Sequence, residues 1–201
     1  MRHEAEVKKL LVSNAIHLIA EGGFEKATTK ELTHCGGSLP DFKMNEVYIY
    51  RIFGSKECLY EAAFLQLDEE LFGVFREIME SVPHVECNTR EWMCEFFNRS
   101  WRFALGNEER CRCYVRYYYS IYFKGESLEL HTRLFEERIA SFKPLFKEEA
   151  DVTAILHSVF ILFFDFVIRV YNGMLEDNED NRKHIFRVLY LMMEAYFKNP
   201  V

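Results

Sequence analysis

One stretch constrains the fold more than any other: "DVTAILHSVFILFFDFVIRVYNGM", from Asp151 to Met174. Wound into a helix, it is apolar on almost every side. Its polar stripe is thin, made of Ser158, Asp165, Arg169 and Asn172 at spacings of seven, four and three residues. Such a helix must be covered on more than one face. The chain itself can cover one face and a second copy another. The last segment, with Ile185, Val188, Leu189, Met192, Met193 and Tyr196 at helical spacing, is suited to pack beside it. The expected arrangement is a symmetric dimer through a four-helix bundle. Its interface would draw on Val159, Phe160, Phe163, Phe166, Val167 and Val170, together with Leu189, Met192, Met193 and Tyr196. On composition alone, a monomer with one deeply buried central helix is the alternative.

The longest uninterrupted apolar run, Val159 to Phe164, is too short to span a bilayer, and the N-terminus "MRHEAEVKKLL" holds no such run. A cytoplasmic protein without a membrane partner is expected. Six cysteines without a signal peptide read as free thiols in a reducing compartment.

Nearly every other segment also shows helical period; only "CYVRYYYSIYF", rich in β-branched and aromatic residues, is ambiguous with a strand. A first helix is expected from about Ala5 to Glu21, stopped by the glycines of "EGGF". A short second helix starts on a capping Thr in "TTKELTHCGG". A third, "EVYIYRIF", starts on Asn45 and closes at Gly54, and Ser55 caps a long fourth. The chain is therefore read as all-α with about nine helices: a three-helix head over residues 1–54 and a helical body over residues 55–201.

Two short helices joined by a glycine-containing turn, the second starting on a small polar cap, form a helix-turn-helix. The second of them would enter the DNA major groove, exposing side chains drawn from Asn45, Glu46, Val47, Tyr48 and Arg51, with Ile49, Ile52 and Phe53 turned inward. Tyr50 offers a hydroxyl and Lys56 an ammonium to one phosphate strand, while Thr28 and Thr29 can clamp phosphate from the other side of the groove.

The pieces "LIAEGGFEKATTKEL", Cys35-Gly36 and "YIYRIFGSKECLYEAAF" resemble, in order and spacing, the head of the tetracycline-repressor (TetR) family of bacterial transcription regulators. The resemblance covers roughly the first third of the chain. It implies a dimeric repressor whose C-terminal domain binds a small molecule and so changes the distance between two DNA-reading heads. By position it makes Thr29, Tyr50 and Lys56 phosphate contacts and places base readers within Asn45 to Tyr48. Two features depart from the family. About seven extra residues lie between Cys35 and Asn45, and they either project toward DNA through Lys43 or alter the angle between the helices. The head is also not basic: over Met1 to Gln66, eight Lys and Arg face nine Asp and Glu, a net −1 in a chain of net −7. Glu46 either accepts from a cytosine amino group or simply favours the positive end of its helix.

In the body, Tyr114, Tyr118 and Tyr122 form one stripe, and Phe97 and Trp101 lie four residues apart on another helix. With Phe163 they are the candidate lining of an effector pocket, against the plainer reading of core and interface packing. Arg110, Arg112 and Arg116 interleave with the tyrosines, either as a single-strand nucleic-acid platform or as partners of acids such as Glu108 and Glu109. No phosphate-cradling loop, Gly-x-Ser-x-Gly elbow or His-Glu-x-x-His helix is present, and His84, Cys87 and Cys94 fit no standard zinc spacing. Neither cofactor nor metal nor catalysis is expected. The expected function is a homodimeric transcription regulator that binds operator DNA and is released by a small-molecule effector. The alternative is a dimer of the same descent that acts by binding a protein or small molecule instead of DNA.

Overall fold

In the computed structural model the described residues are 2–35, 44–81 and 89–198. They form nine α-helices and one short 3-10 turn, with no strand among them; a lone antiparallel bridge joins Phe146 and Phe197. The helices are α1 (Arg2–Gly22), α2 (Thr29–His34), α3 (Val47–Phe53), α4 (Lys56–Ser81), α5 (Thr89–Gly106), α6 (Glu108–Tyr118), α7 (Glu126–Phe142), α8 (Val152–Tyr171) and α9 (Glu179–Glu194). The all-α expectation holds. The ambiguous stretch after Arg112 is helical through Tyr118 and then turns. The extra residues around Lys43, along with His84 and Cys87, lie outside the described residues.

The caps explain where the head's helices start and stop. The Thr28 hydroxyl accepts from the Glu31 N–H at 3.2 Å, and the Asn45 side chain accepts from the Val47 N–H at 3.1 Å. Gly54, at φ +81°, ends α3 with its N–H on the Tyr50 carbonyl, and the Ser55 hydroxyl accepts from the Cys58 N–H at 3.1 Å to begin α4. Each device satisfies backbone groups that a helix end leaves open.

Two compact units emerge. The first comprises Met1–Glu70 and Glu108–His131, the second Leu71–Asn107 and Thr132–Val201. In the first, α1 packs along α6 and against α2 and α3. Val7, Leu11, Ala15 and Ile19 of α1, with Leu32 and Ile49, are fully buried. Asn14 donates to the Leu32 carbonyl at 2.8 Å and the Tyr60 hydroxyl to the Ala27 carbonyl at 2.5 Å, tying α2 to its neighbours. Asp68, buried completely, accepts from the Tyr114 hydroxyl at 2.9 Å and lies 3.0 Å from Nδ1 of the buried His131. The arginines of α6 do not line up as a nucleic-acid platform: Arg110 pairs with Glu70, Arg112 with Glu108 at 2.7 Å, and Arg116 donates to the Ile19 carbonyl at 2.7 Å.

In the second unit, α8 and α9 pack on each other and both on α5. By length and composition α8 could also cross a membrane, yet the thin polar stripe sits where the sequence places it. Ser158, Asp165 and Arg169 are exposed, and Arg169 bonds Asp165 at 2.7 Å. On the opposite side Phe163, Phe164 and Val167 are buried.

Candidate functional site

The first candidate is the outer face of α3. Because α3 runs from the Glu46 cap to Gly54, its seven residues turn Ile49 inward and leave Val47 at 66% and Tyr50 at 54% exposure. Arg51 is exposed as well and lies over the Tyr48 ring at 4.5 Å, an attraction between a cation and the ring's negative face. Lys56, in the first turn of α4, sits 5.6 Å from the Tyr60 ring. Thr28 is exposed but its hydroxyl oxygen is engaged in capping. Thr29 donates its hydroxyl to Glu46 at 2.7 Å. That bond holds the start of α3 to the start of α2. It also occupies the Glu46 carboxylate, for which neither of the two sequence readings foresaw a side-chain partner. Asn45, Val47, Tyr48, Tyr50, Arg51 and Lys56 thus share one short segment closed by a glycine cap, and Lys43 lies outside the described residues.

The second candidate is a cavity of about 130 Å³ inside the second unit. Nine phenylalanines dominate its wall, contributed by α4, α5, α7, α8 and α9. Among the described residues that line it, three are polar: Ser100 on α5, Arg138 on α7 and Tyr190 on α9. Burial, with a smaller push from Glu194, raises the Tyr190 phenol above its ordinary range, so its proton stays on the oxygen at neutral pH.

The residues expected to line a pocket divide between this cavity, its surroundings and the first unit. Phe97 and Phe163 line the cavity. Trp101 does not: its indole N–H donates to Asp177 at 3.0 Å and its ring backs Phe97 and Phe163. The tyrosine stripe belongs to the other unit, where Tyr114 bonds Asp68, Tyr118 meets Phe123 and Tyr122 packs between Phe24 and Tyr60. Of the residues expected at a dimer interface, Val159, Phe160, Phe163, Leu189 and Met193 line the cavity, Val159 and Phe160 with some exposure, and Val167 is buried completely in the core. Phe166, Val170, Met192 and Tyr196 keep some exposure. Missed entirely were Phe72, Phe75 and Met79 of α4 and Phe135, Arg138 and Phe142 of α7. Their three-to-four spacing marks an inward face, although nothing local says what that face meets.

Among the described residues no cluster of three or more His, Cys, Asp or Glu is placed to hold a metal ion.

Comparison with solved structures identifies the class of fold. A TetR-family transcription regulator from Marinobacter aquaeolei VT8 superposes with a TM-score of 0.71 over 96% of this chain and 98% of its own, at 14% identity. The fatty acid degradation regulator FadR from Bacillus halodurans gives 0.63 over 90% and 96% at 15% identity, and a TetR-like regulator from Rhodococcus sp. RHA1 gives 0.61 over 94% of each chain, also at 15%. No family model and no curated protein matches the sequence. The chain therefore has the all-α fold of the TetR-family regulators across nearly its whole length, as its head motif suggested.

Proposed function

We propose that the protein is a homodimeric transcription regulator that reads duplex DNA with α3 and answers to a small molecule held in the phenylalanine-lined cavity. The observation that carries the DNA reading is the exposed face of α3. A seven-residue helix leaves Val47 and Tyr50 more than half exposed beside Asn45 and Arg51, and Gly54 and Ser55 set Lys56 immediately after it. Large apolar and aromatic side chains exposed on a short capped helix suit base edges and methyl groups in a major groove, and Tyr50 and Lys56 suit the phosphates that flank it. With eight basic and nine acidic residues over positions 1–66, affinity rests on these few contacts and falls with salt. An effector that binds one form of the dimer better than another lowers operator affinity by the difference, with no catalytic step.

The test is selection from random duplex DNA at low and moderate salt with wild type and the double variant Tyr50→Phe, Lys56→Ala. Enrichment of a palindrome, with weaker binding and a shallower salt slope for the variant, is the expected result. A folded dimer that enriches nothing at either salt points to a second reading, a regulator-like dimer that binds a protein or small molecule without reading DNA. One observation favours that alternative: the Thr29 hydroxyl, a phosphate contact by resemblance, is already given to Glu46.

A further inference from the structure

The cavity is unusual in its polar atoms. Ser100 and Tyr190 are 3% and 2% exposed, yet the Ser100 Oγ and the Tyr190 hydroxyl have no hydrogen-bond partner among the described residues, and neither has Arg138 Nε. All three line one apolar cavity. Buried polar groups are nearly always satisfied, because leaving one unpaired costs the hydration it gave up, and a charged group costs more than a neutral one. No Asp or Glu is among the described residues that line the cavity; Arg138 is half-buried, and its Nε is the atom enclosed there without a partner. A hydroxyl, a phenol held protonated and a guanidinium therefore border a greasy space whose described lining offers no carboxylate.

We infer that the cavity binds a small anionic amphiphile: an apolar body the size of one ring or a short acyl chain, carrying a single carboxylate that pairs with Arg138 and accepts from Ser100 and Tyr190. The apolar body follows from the phenylalanine walls, and its size from the volume of about 130 Å³, close to that of an engineered cavity that takes up benzene. The carboxylate follows from the donors, since the guanidinium fork matches two coplanar oxygens. The single charge follows from Arg138 being the sole ionic side chain among the described lining residues, which leaves a dianionic phosphomonoester half uncompensated. This rests on the cavity being an effector site, as proposed above, and names the chemistry that site selects.

Calorimetric titration of the full chain with benzoate and hexanoate, against benzamide, hexanamide and toluene, tests it. The two carboxylates are expected to bind about tenfold or more tightly than their amides, reflecting a charge-assisted bond over a neutral one. Arg138→Met should abolish that preference while leaving toluene binding intact, Arg138→Lys should keep part of it, and Ser100→Ala and Tyr190→Phe should each weaken carboxylate binding. Equal binding of acids and amides by wild type overturns the inference without recourse to any variant. So does a preference that survives in a folded Arg138→Met protein, or the absence of carboxylate binding at millimolar concentration. Hexyl phosphate binding more tightly than hexanoate would overturn the single-charge part. No DNA is present in the titration, so failure here leaves the operator reading standing, and failure of operator selection leaves this result standing.

Discussion

At the scale of single residues, two positions carry more consequence than their size suggests. Gly54 holds φ +81°, and an added Cβ there would meet nothing within 4 Å. The cost of Gly54→Ala is therefore conformational, of about 1–2 kcal/mol, without a packing clash. Urea denaturation should show a lower midpoint with unchanged slope. Cys113 behaves differently. It is 1% exposed, and burial first, then Glu109, pushes its thiol up to about 12. The unfolded chain releases that proton near pH 9.0, so between 9 and 12 the folded state holds more protons than the unfolded one. The stability this thiol contributes is thus whole below pH 9 and is lost as pH rises toward 12. Tyr60 and Tyr114, whose phenols are also raised mainly by burial, steepen the loss above pH 10. A Cys113→Ala variant should show a shallower fall in urea midpoint than wild type between pH 9 and 10, before the tyrosines titrate.

At the scale of elements, what was legible in the sequence follows from what is local. Thr28, Gly54 and Ser55 announce helix ends because a cap bonds a backbone group three or four residues away, and all three act as read; Asn45 accepts from the Val47 N–H just ahead of the cap position, which Glu46 takes. The thin stripe of α8 was equally legible, since Ser158, Asp165 and Arg169 sit on one side of one helix. For the tyrosines of α6 the sequence left pocket lining and core packing both open, because helical spacing says which residues share a face but not what that face meets. Tyr114 meets Asp68, forty-six positions away, and the cavity belongs to other helices. The bond between Thr29 and Glu46 was hidden for the same reason, as it joins residues seventeen apart across residues 36–43. Caps also make a prediction. Ser55→Ala removes the acceptor for the Cys58 N–H and should cost about 1 kcal/mol in urea denaturation. The same change loosens the first turn of α4, which carries Lys56, so DNA affinity should fall by more than the stability loss alone explains.

At the scale of the whole molecule, α8 states a problem that the proposed dimer would answer with a second copy of the chain. Only Val152, Phe163, Phe164 and Val167 of its twenty residues are buried, while Ile155, Leu162 and Phe166 form a partly exposed band beside the polar stripe. Burying an apolar side chain is worth about 1.5–3 kcal/mol, so a band repeated on two copies gives a two-fold pairing a substantial drive. Of the residues expected at such an interface, Phe166 and Val170 on α8 and Met192 and Tyr196 on α9 keep some exposure without lining the cavity, so they test the pairing most cleanly. Phe166→Glu and Met192→Glu, singly and together, place a carboxylate where an apolar surface would close. Sedimentation equilibrium should show a wild-type dimer, a concentration-dependent mixture for each single variant and a monomer for the double variant, with far-ultraviolet circular dichroism unchanged. Palindrome binding should fall in the same order, because a monomer engages one half-site where a dimer engages two. A double variant that remains dimeric while folded would place the pairing surface on other helices, and one that is monomeric yet binds the palindrome as tightly as wild type would separate DNA reading from dimerisation altogether.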